Sequence, residues 1–387
     1  MVKPIEILHV FSRMTRGGAE MRTLEILRHI DHRRYRLHFC ALSGRLGTLD
    51  EEFRALGSRT YLLDLRQMGF ARRFRKLLTE QRFDVVHSHV FYSSGLVLRL
   101  AAECGTPVRV AHFRSSHDGG GSSLPRRMLR KLMRHWIDQH ATHILAVSES
   151  AMTAAWGPQS RSDPRCRVIY NGLDPSAFDG KADREGVRRE FGLPGNALLY
   201  LHVGRFTKAK NHLRLVSIFA ELLKRCPAAT LLLVGGGNDE IKRDVAARIT
   251  GLGIGDRVVF CGERTDVPRL LKAADTLIFP SLWEGLPGAV LEACAAGTPV
   301  LASDLPVIRE IAARLPLVHP LSLDADDERW ARAIEAMATG SNSDSARQAA
   351  HRSFTDSIFT IDRCTETTSQ VWRLASQESM LQGVADG

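Results

Sequence analysis

The sequence predicts an α/β fold made of two doubly wound, parallel-sheet domains, and three observations carry that expectation. At 387 residues the chain exceeds what one ordinary hydrophobic core accommodates. Short apolar runs alternate with amphipathic stretches of helical period along most of its length, which is the pattern of repeated βαβ units. The alternation pauses at Val168-Ile169-Tyr170-Asn171-Gly172-Leu173-Asp174-Pro175, where a strand runs into chain-breaking residues. A boundary there gives a first domain over residues 1–172, a second over 173–360, and a tail over 361–387.

In the first domain, residues 5–11 read as a buried strand that enters Thr15-Arg16-Gly17-Gly18-Ala19-Glu20 and then a helix with Met21, Leu24, Ile26, Leu27 and Ile30 on its apolar positions. A strand, a double glycine and a helix bring backbone N–H groups to the strand's carboxyl end, where an anion can sit. The spacing is not the dinucleotide fingerprint, so NAD is not expected, and alone Gly17-Gly18 is more often just a tight turn. Further strands are expected at 36–42, 60–63, 84–87, 108–112 and 143–147, with helices at 48–56, 70–81, 94–104 and 124–138. His87, His89 and His112, with the segment from Arg114 to Gly121, fall at strand carboxyl ends, the functional edge of such a sheet. A single histidine there is usually structural; three together leave a catalytic role open.

The helix at 124–138 divides by helical spacing. Met128, Leu129, Leu132, Met133, Trp136 and Ile137 share one face; Arg126, Arg127, Arg130, Lys131 and Arg134 share the other. Two readings are open: a core helix with a solvated basic back, or a helix lying on anionic lipid headgroups. Residues 71–76 add a second basic cluster.

In the second domain, strands are expected at 198–203, 230–234, 257–260, 276–279 and 299–302. The first runs into Gly204-Arg205 and on to Lys210 before a helix, and the second into Gly235-Gly236-Gly237. The strand at 276–279 leads into a turn with Glu284, Gly285, Leu286, Pro287 and Gly288, then a small-residue helix carrying Glu292. Alone, Glu284 and Glu292 read as a capping and a solvated carboxylate. Beside a helix N-terminus with free N–H groups, and with Arg205 and Lys210 on the same kind of edge, they describe a site for a ligand with both phosphate and hydroxyls.

Composition narrows the classes. With 44% apolar and 25% charged residues the chain is globular, and no apolar run of about 18 residues marks a membrane span. Residues 1–172 hold 28 Lys+Arg against 15 Asp+Glu and the remainder 25 against 28, so the basic character lies in the first half, pointing to a polyanionic surface or substrate there. No nucleic-acid recognition motif accompanies it. Seven scattered cysteines without a Cys-x-x-Cys pair fit reduced thiols, and with no signal-peptide core at the N-terminus a cytoplasmic location is expected.

Taken in order, Gly17-Gly18-Ala19-Glu20, Asn171-Gly172-Leu173-Asp174, Val203-Gly204-Arg205 with Lys210, Val234-Gly235-Gly236-Gly237, Asp275 with Pro280-Ser281, and Glu284 to Glu292 resemble the retaining family-4 glycosyltransferases of the glycosyl transferases group 1 type. The resemblance covers nearly the whole chain and implies the GT-B fold, two Rossmann-like domains facing a cleft, with the tail crossing back to the first domain. It implies transfer of a sugar from a nucleotide-diphosphate donor, UDP by family preference, to a saccharide or lipid-linked acceptor in bacterial envelope or exopolysaccharide synthesis. Arg205 and Lys210 then clamp the donor diphosphate. Glu292 bonds the ribose, and Glu284 contacts sugar hydroxyls or supports the reacting centre. Gly285, Leu286, Pro287 and Gly288 bring backbone to the donor, as do Gly17, Gly18, Gly235 and Gly236. Arg264 falls in the loop near the base, and His112 matches the family's active-site histidine. No cofactor or metal is expected, since two cations can replace a divalent ion. The family's Glu-Gly-Phe-Gly-Leu-Pro is Glu284-Gly285-Leu286-Pro287-Gly288 here, so donor-sugar identity transfers less readily than nucleotide binding. Two alternatives share the pattern: a hydrolysing UDP-N-acetylglucosamine epimerase, which needs no acceptor, and a non-enzymatic membrane-associated scaffold.

Overall fold

The structure, a computed structural model, describes residues 3–117, 123–194, 197–340 and 343–385. It divides into two compact units: Met1–Gly172 with Ile361–Gly387, and Leu173–Thr360.

The first unit runs β1 (Ile5–Phe11), α1 (Gly18–His29), β2 (Tyr35–Ala41), α2 (Asp50–Ala55), β3 (Thr60–Leu62), α3 (Phe70–Gln81), β4 (Val85–Ser88), α4 (Ser94–Glu103), β5 (Val108–Phe113), α5 (Leu124–His140), β6 (His143–Ala146), α6 (Glu149–Trp156) and β7 (Cys166–Val168). Its seven strands are ordered β3-β2-β1-β4-β5-β6-β7, with parallel neighbours. Central strands covered on both faces must be apolar almost throughout. β1 meets this with Ile7, Leu8, Val10 and Phe11 all buried, leaving His9 as a buried exception.

The second unit runs α7 (Arg184–Glu190), β8 (Leu199–Val203), α8 (His212–Leu223), β9 (Thr230–Val234), α9 (Asp239–Gly251), β10 (Val258–Gly262), α10 (Val267–Ala273), β11 (Thr276–Phe279), α11 (Gly288–Ala295), β12 (Val300–Ser303), α12 (Pro306–Ala312), β13 (Val318–Leu321), α13 (Asp327–Gly340) and α14 (Asp344–Thr355). Its sheet order is β10-β9-β8-β11-β12-β13, again with parallel neighbours. The core includes Leu215, Phe219, Leu231, Ile278, Leu301 and Trp330. Asp275 sits at the amino end of β11 and accepts the Leu199 N–H at 2.7 Å, so it ties the starts of two strands.

Two helices end the chain, α14 and then α15 (Ile361–Ala385). The break comes where Phe359 is fully buried and its carbonyl accepts the Leu173 N–H at 2.9 Å, closing the second unit on itself. α15 then packs in the first unit, whose core includes Val371 and Trp372. Among the described residues no helix is long and apolar enough to cross a membrane.

Candidate active site

In an open parallel sheet the crevice that takes a ligand opens at the strands' carboxyl ends, where the strand order reverses and neighbouring loops diverge. That point lies between β8 and β11 in the second unit, and between β1 and β4 in the first.

In the second unit the loop after β8 carries Arg205 and Lys210, and the loop after β11 carries Glu284. The fold brings them together: Lys210 Nζ donates to Glu284 Oε1 at 2.6 Å and stands 4.5 Å over the Phe279 ring. The loops are sewn to each other by Leu282 N–H on the Ala209 carbonyl at 2.7 Å and the Asn211 side chain on the Pro280 carbonyl at 3.1 Å. Asn211 holds a left-handed backbone, φ 54°, a conformation its short polar side chain tolerates. Arg205 is exposed and has no hydrogen-bond or ion-pair partner among the described residues. Gly285, Leu286 and Pro287 are buried, and α11 starts at Gly288 with no side-chain cap. The first N–H groups of this helix therefore face the crevice end of the strand with the positive end of the dipole. Glu292 is half-buried in its second turn.

Gly235 takes φ +144°, and a side chain there would strike the Gly204 carbonyl. The glycine turn is thus packed on the Arg205 loop, with Phe206 N–H on the Gly236 carbonyl at 2.7 Å. Arg264 is engaged elsewhere: its guanidinium makes two 2.8 Å bonds to Asp266 and a third to Glu190. The sequence expectation places it near a nucleotide base; its guanidinium is committed to carboxylates. The expectation of a metal-free site also passed over one Asp-x-Asp, Asp324-Ala325-Asp326. It follows β13 at the sheet edge, two strands from the crevice, and Asp326 accepts the Arg329 N–H at 2.7 Å at the start of α13.

In the first unit the crevice edge holds a cluster whose core residue, His9, the sequence reading missed. His9 pairs with His87 across β1 and β4, and the rings of His9, His87, His89 and His112 lie between 4.4 and 5.4 Å from one another wherever they stack or tilt together. His87 and His112 share a 3.0 Å bond, as do His9 and His89. Burial keeps all four neutral: His9 is lowered to about 3, and the others stay well below the usual imidazole value. Arg114, half-buried and lowered to about 10 by desolvation, reaches Asn171 at 2.6 Å and His89 at 3.2 Å. His9, His87 and His89 place ring nitrogens within 4.8 Å, a spacing open to a metal ion. The guanidinium beside them opposes a cation, and ring nitrogens already bonded to one another, to Arg114 and to the Trp372 indole would have to be released first.

Next to the cluster is a cavity of about 720 Å³ lined by Arg13, Arg45, Arg66 and Arg114 against a single carboxylate, Asp64. Gly17 caps α1 without a side-chain bond, and a Cβ on it would meet the Glu20 carboxylate, while Gly18 has open space. The segment from Asp118 to Gly121 lies outside the described residues.

α5 differs from both readings of its sequence in part. Its apolar face is not core: Leu124, Met128, Leu129 and Leu132 are 68%, 65%, 54% and 43% exposed, and Ile137 is the buried residue. The reason is local. α5 presses its later turns on α4, where a side chain on Gly95 would strike the Met133 carbonyl, and its first turns project beyond that contact. Arg126, Arg127 and Lys131 are exposed and Arg130 is half-buried. Arg134 does not belong with them, because its guanidinium bonds the Trp156 carbonyl and stacks 4.8 Å over the Trp156 ring.

Comparison with known proteins agrees with this architecture. The Glycosyltransferase Family 4 model matches residues 16–177 and the Glycosyl transferases group 1 model matches residues 183–350. The chain is 32% identical over 338 residues to the "Putative glycosyltransferase EpsF" of Bacillus subtilis (strain 168), covering 85% of this chain and 86% of that protein. It is 29% identical over 378 residues to the capsular polysaccharide biosynthesis glycosyltransferase CapH of Staphylococcus aureus, covering 95% and 98%. The crystal structure of Anabaena HepE in complex with UDP and glucose superposes with a TM-score of 0.78 at 19% identity, covering 95% and 98%, and shares the GT-B fold. The chain belongs to the glycosyltransferases built from a family 4 domain followed by a group 1 domain.

Proposed function

We propose that this glycosyltransferase moves a sugar, with retention and without a metal, from a UDP-sugar held by the second unit to a phosphate-bearing, lipid-linked saccharide acceptor taken by the first, in capsule or exopolysaccharide synthesis. One observation carries the donor half: Lys210 bonded to Glu284 at the crevice of the second sheet, beside the exposed Arg205 and the start of α11, which has no side-chain cap. In the step proposed, the bond between the sugar's anomeric carbon and the diphosphate oxygen breaks and its electron pair leaves with the diphosphate. The acceptor hydroxyl oxygen bonds the anomeric carbon, and its proton passes to the departing diphosphate. Arg205 by its planar fork, Lys210 as a point charge and the α11 N–H groups meet the charge that develops, each preorganised donor worth roughly 10²–10³ in rate. Glu284 and Glu292 hold hydroxyls of the sugar and the ribose. HepE, which shares the fold, was crystallised with UDP, and CapH is named for capsule synthesis; both favour this reading.

The acceptor half rests on charge. The arginine-lined cavity suits a phosphate or diphosphate, and the exposed apolar strip of α5 beside Arg126, Arg127 and Lys131 suits peripheral contact with anionic lipid on the cytoplasmic face.

The test is calorimetric titration with UDP, GDP and ADP in EDTA, on the native chain and on Lys210→Ala, followed by determination of the anomeric configuration of the product. Micromolar UDP binding without metal, lost in the variant, and a product of unchanged configuration are expected. No binding of UDP, an inverted product, or release of an epimerised sugar in the absence of acceptor would each overturn the reading.

A further inference from the structure

The histidine cluster of the first unit is two hydrogen-bonded relays, and each has a direction. An indole N–H and a guanidinium N–H can only donate. Trp372 Nε1 donates to His87 Nδ1 at 3.2 Å, so the proton of neutral His87 lies on Nε2. That nitrogen is 3.0 Å from His112 Nδ1, which must then accept, and the proton of His112 lies on its Nε2. In the same way Arg114 Nε donates to His89 Nδ1 at 3.2 Å, His89 Nε2 donates to His9 Nδ1 at 3.0 Å, and the proton of His9 lies on Nε2. The relays therefore end in two N–H groups, His112 Nε2 and His9 Nε2, both buried and without a hydrogen-bond partner among the described residues. A buried N–H without an acceptor is costly, and a ligand oxygen relieves that cost.

We propose that Trp372, on the last helix, is a positioning residue that acts through His87 to hold His112 as the Nε2–H tautomer, so that His112 presents to the acceptor taken by the first unit a neutral hydrogen-bond donor and not a base. The second clause rests on the reading that His112 belongs to the active site. Its chemical consequence is that His112 has no lone pair to take the acceptor's proton, because Nδ1 is occupied by His87 and Nε2 already carries hydrogen. The proton then leaves with the diphosphate. Trp372 is well placed to hold the tautomer, since its ring is fully buried, packs edge-on to His9 and His87 at 5.6 and 6.0 Å, and has little room to reorient.

The experiment is a long-range proton–nitrogen correlation spectrum of the full chain labelled with ¹⁵N-histidine, near neutral pH, on the native protein and on Trp372→Phe. In the native protein His9, His87, His89 and His112 are expected to carry the proton on Nε2 with Nδ1 as bare acceptor. In Trp372→Phe, His87 and His112 are expected to lose the single tautomer while His9 and His89, anchored by Arg114, keep theirs. A proton on Nδ1 of His87 or His112 in the native protein overturns the relay, and this spectrum decides even where the variant does not fold. Unchanged His87 and His112 signals in a folded Trp372→Phe also overturn it. Kinetics then test the role of His112. His112→Gln, whose amide NH₂ occupies the Nε2 position, is expected to stay within about tenfold of native kcat, while His112→Ala loses roughly 10²–10³. Trp372→Phe is expected to lower kcat about tenfold with donor KM unchanged. A Gln variant as impaired as Ala would make His112 a proton carrier and sink the donor role. Unimpaired His112→Ala would remove His112 from the active site while the relay stands.

Discussion

Acidification to pH 5 is expected to loosen the first unit more than the second, and the size of the effect follows from the histidine cluster. His9 is fully buried with its folded-state value lowered to about 3, chiefly by burial and then by the nearby charges of Arg114 and His38. In the unfolded chain it returns to the ordinary value near 6.5. Because the folded value is the lower one, the unfolded state binds more protons once the pH drops below 6.5. The stability is therefore complete above that point and is lost progressively as the pH falls toward 3. At pH 5 the protonation gap is about 1.5 units, and at 1.36 kcal/mol per unit His9 alone costs about 2 kcal/mol. His87, His89 and His112 shift in the same direction for the same first cause, burial, and add to it. Against a typical total stability of about 5–15 kcal/mol this is a large fraction. Hydrogen exchange of the full chain at pH 7 and pH 5, corrected for intrinsic rates, separates the units. Amides of β1 and β4 are expected to lose protection at pH 5 by at least the equivalent of 2 kcal/mol, about thirtyfold, and by more than those of β8 and β11, which also weaken because burial lowers His202 on β8 and His212 at the start of α8, but where two such rings stand against four. Equal protection of β1 and β4 at both values would mean that the cluster is not neutral in the folded protein, and the tautomer argument would fall with it.

Other outcomes follow from single contacts. Glu292→Ala is expected to weaken UDP binding by about 2 kcal/mol, roughly thirtyfold by calorimetry, through loss of a charged hydrogen bond to the ribose; unchanged affinity would remove Glu292 from the nucleotide site. Gly235→Ala is expected to destabilise the second unit by about 1–3 kcal/mol in denaturant unfolding, because alanine at φ +144° is strained and its Cβ meets the Gly204 carbonyl. The triple variant Arg126→Glu, Arg127→Glu, Lys131→Glu is expected to reduce sedimentation with phosphatidylserine vesicles by at least 10²-fold in affinity, at about 1 kcal/mol per basic residue, while Arg134→Glu destabilises the chain instead by breaking its bond to Trp156. Binding of the triple variant at native strength would remove α5 from the membrane reading.

The amino-acid order by itself determined the alternation of strands and helices, the pause near Asn171, and the placement of Arg205, Lys210 and Glu284 after strands. These are local properties: period, chain-breaking residues and small-residue turns are visible in windows of ten to twenty residues. Tertiary structure decided the pairings. Lys210 and Glu284 are 74 positions apart and meet only because the sheet order sets β8 beside β11. His9 looked like one polar residue in an apolar strand until β4 and β5 were laid alongside it, and Trp372 lies 285 positions from the His87 ring it bonds. The face of α5 that meets solvent was equally out of reach, since helical period separates an apolar face from a basic one without saying which is covered. That depends on where Gly95 lets the helix approach α4, which is a property of packing and not of pattern.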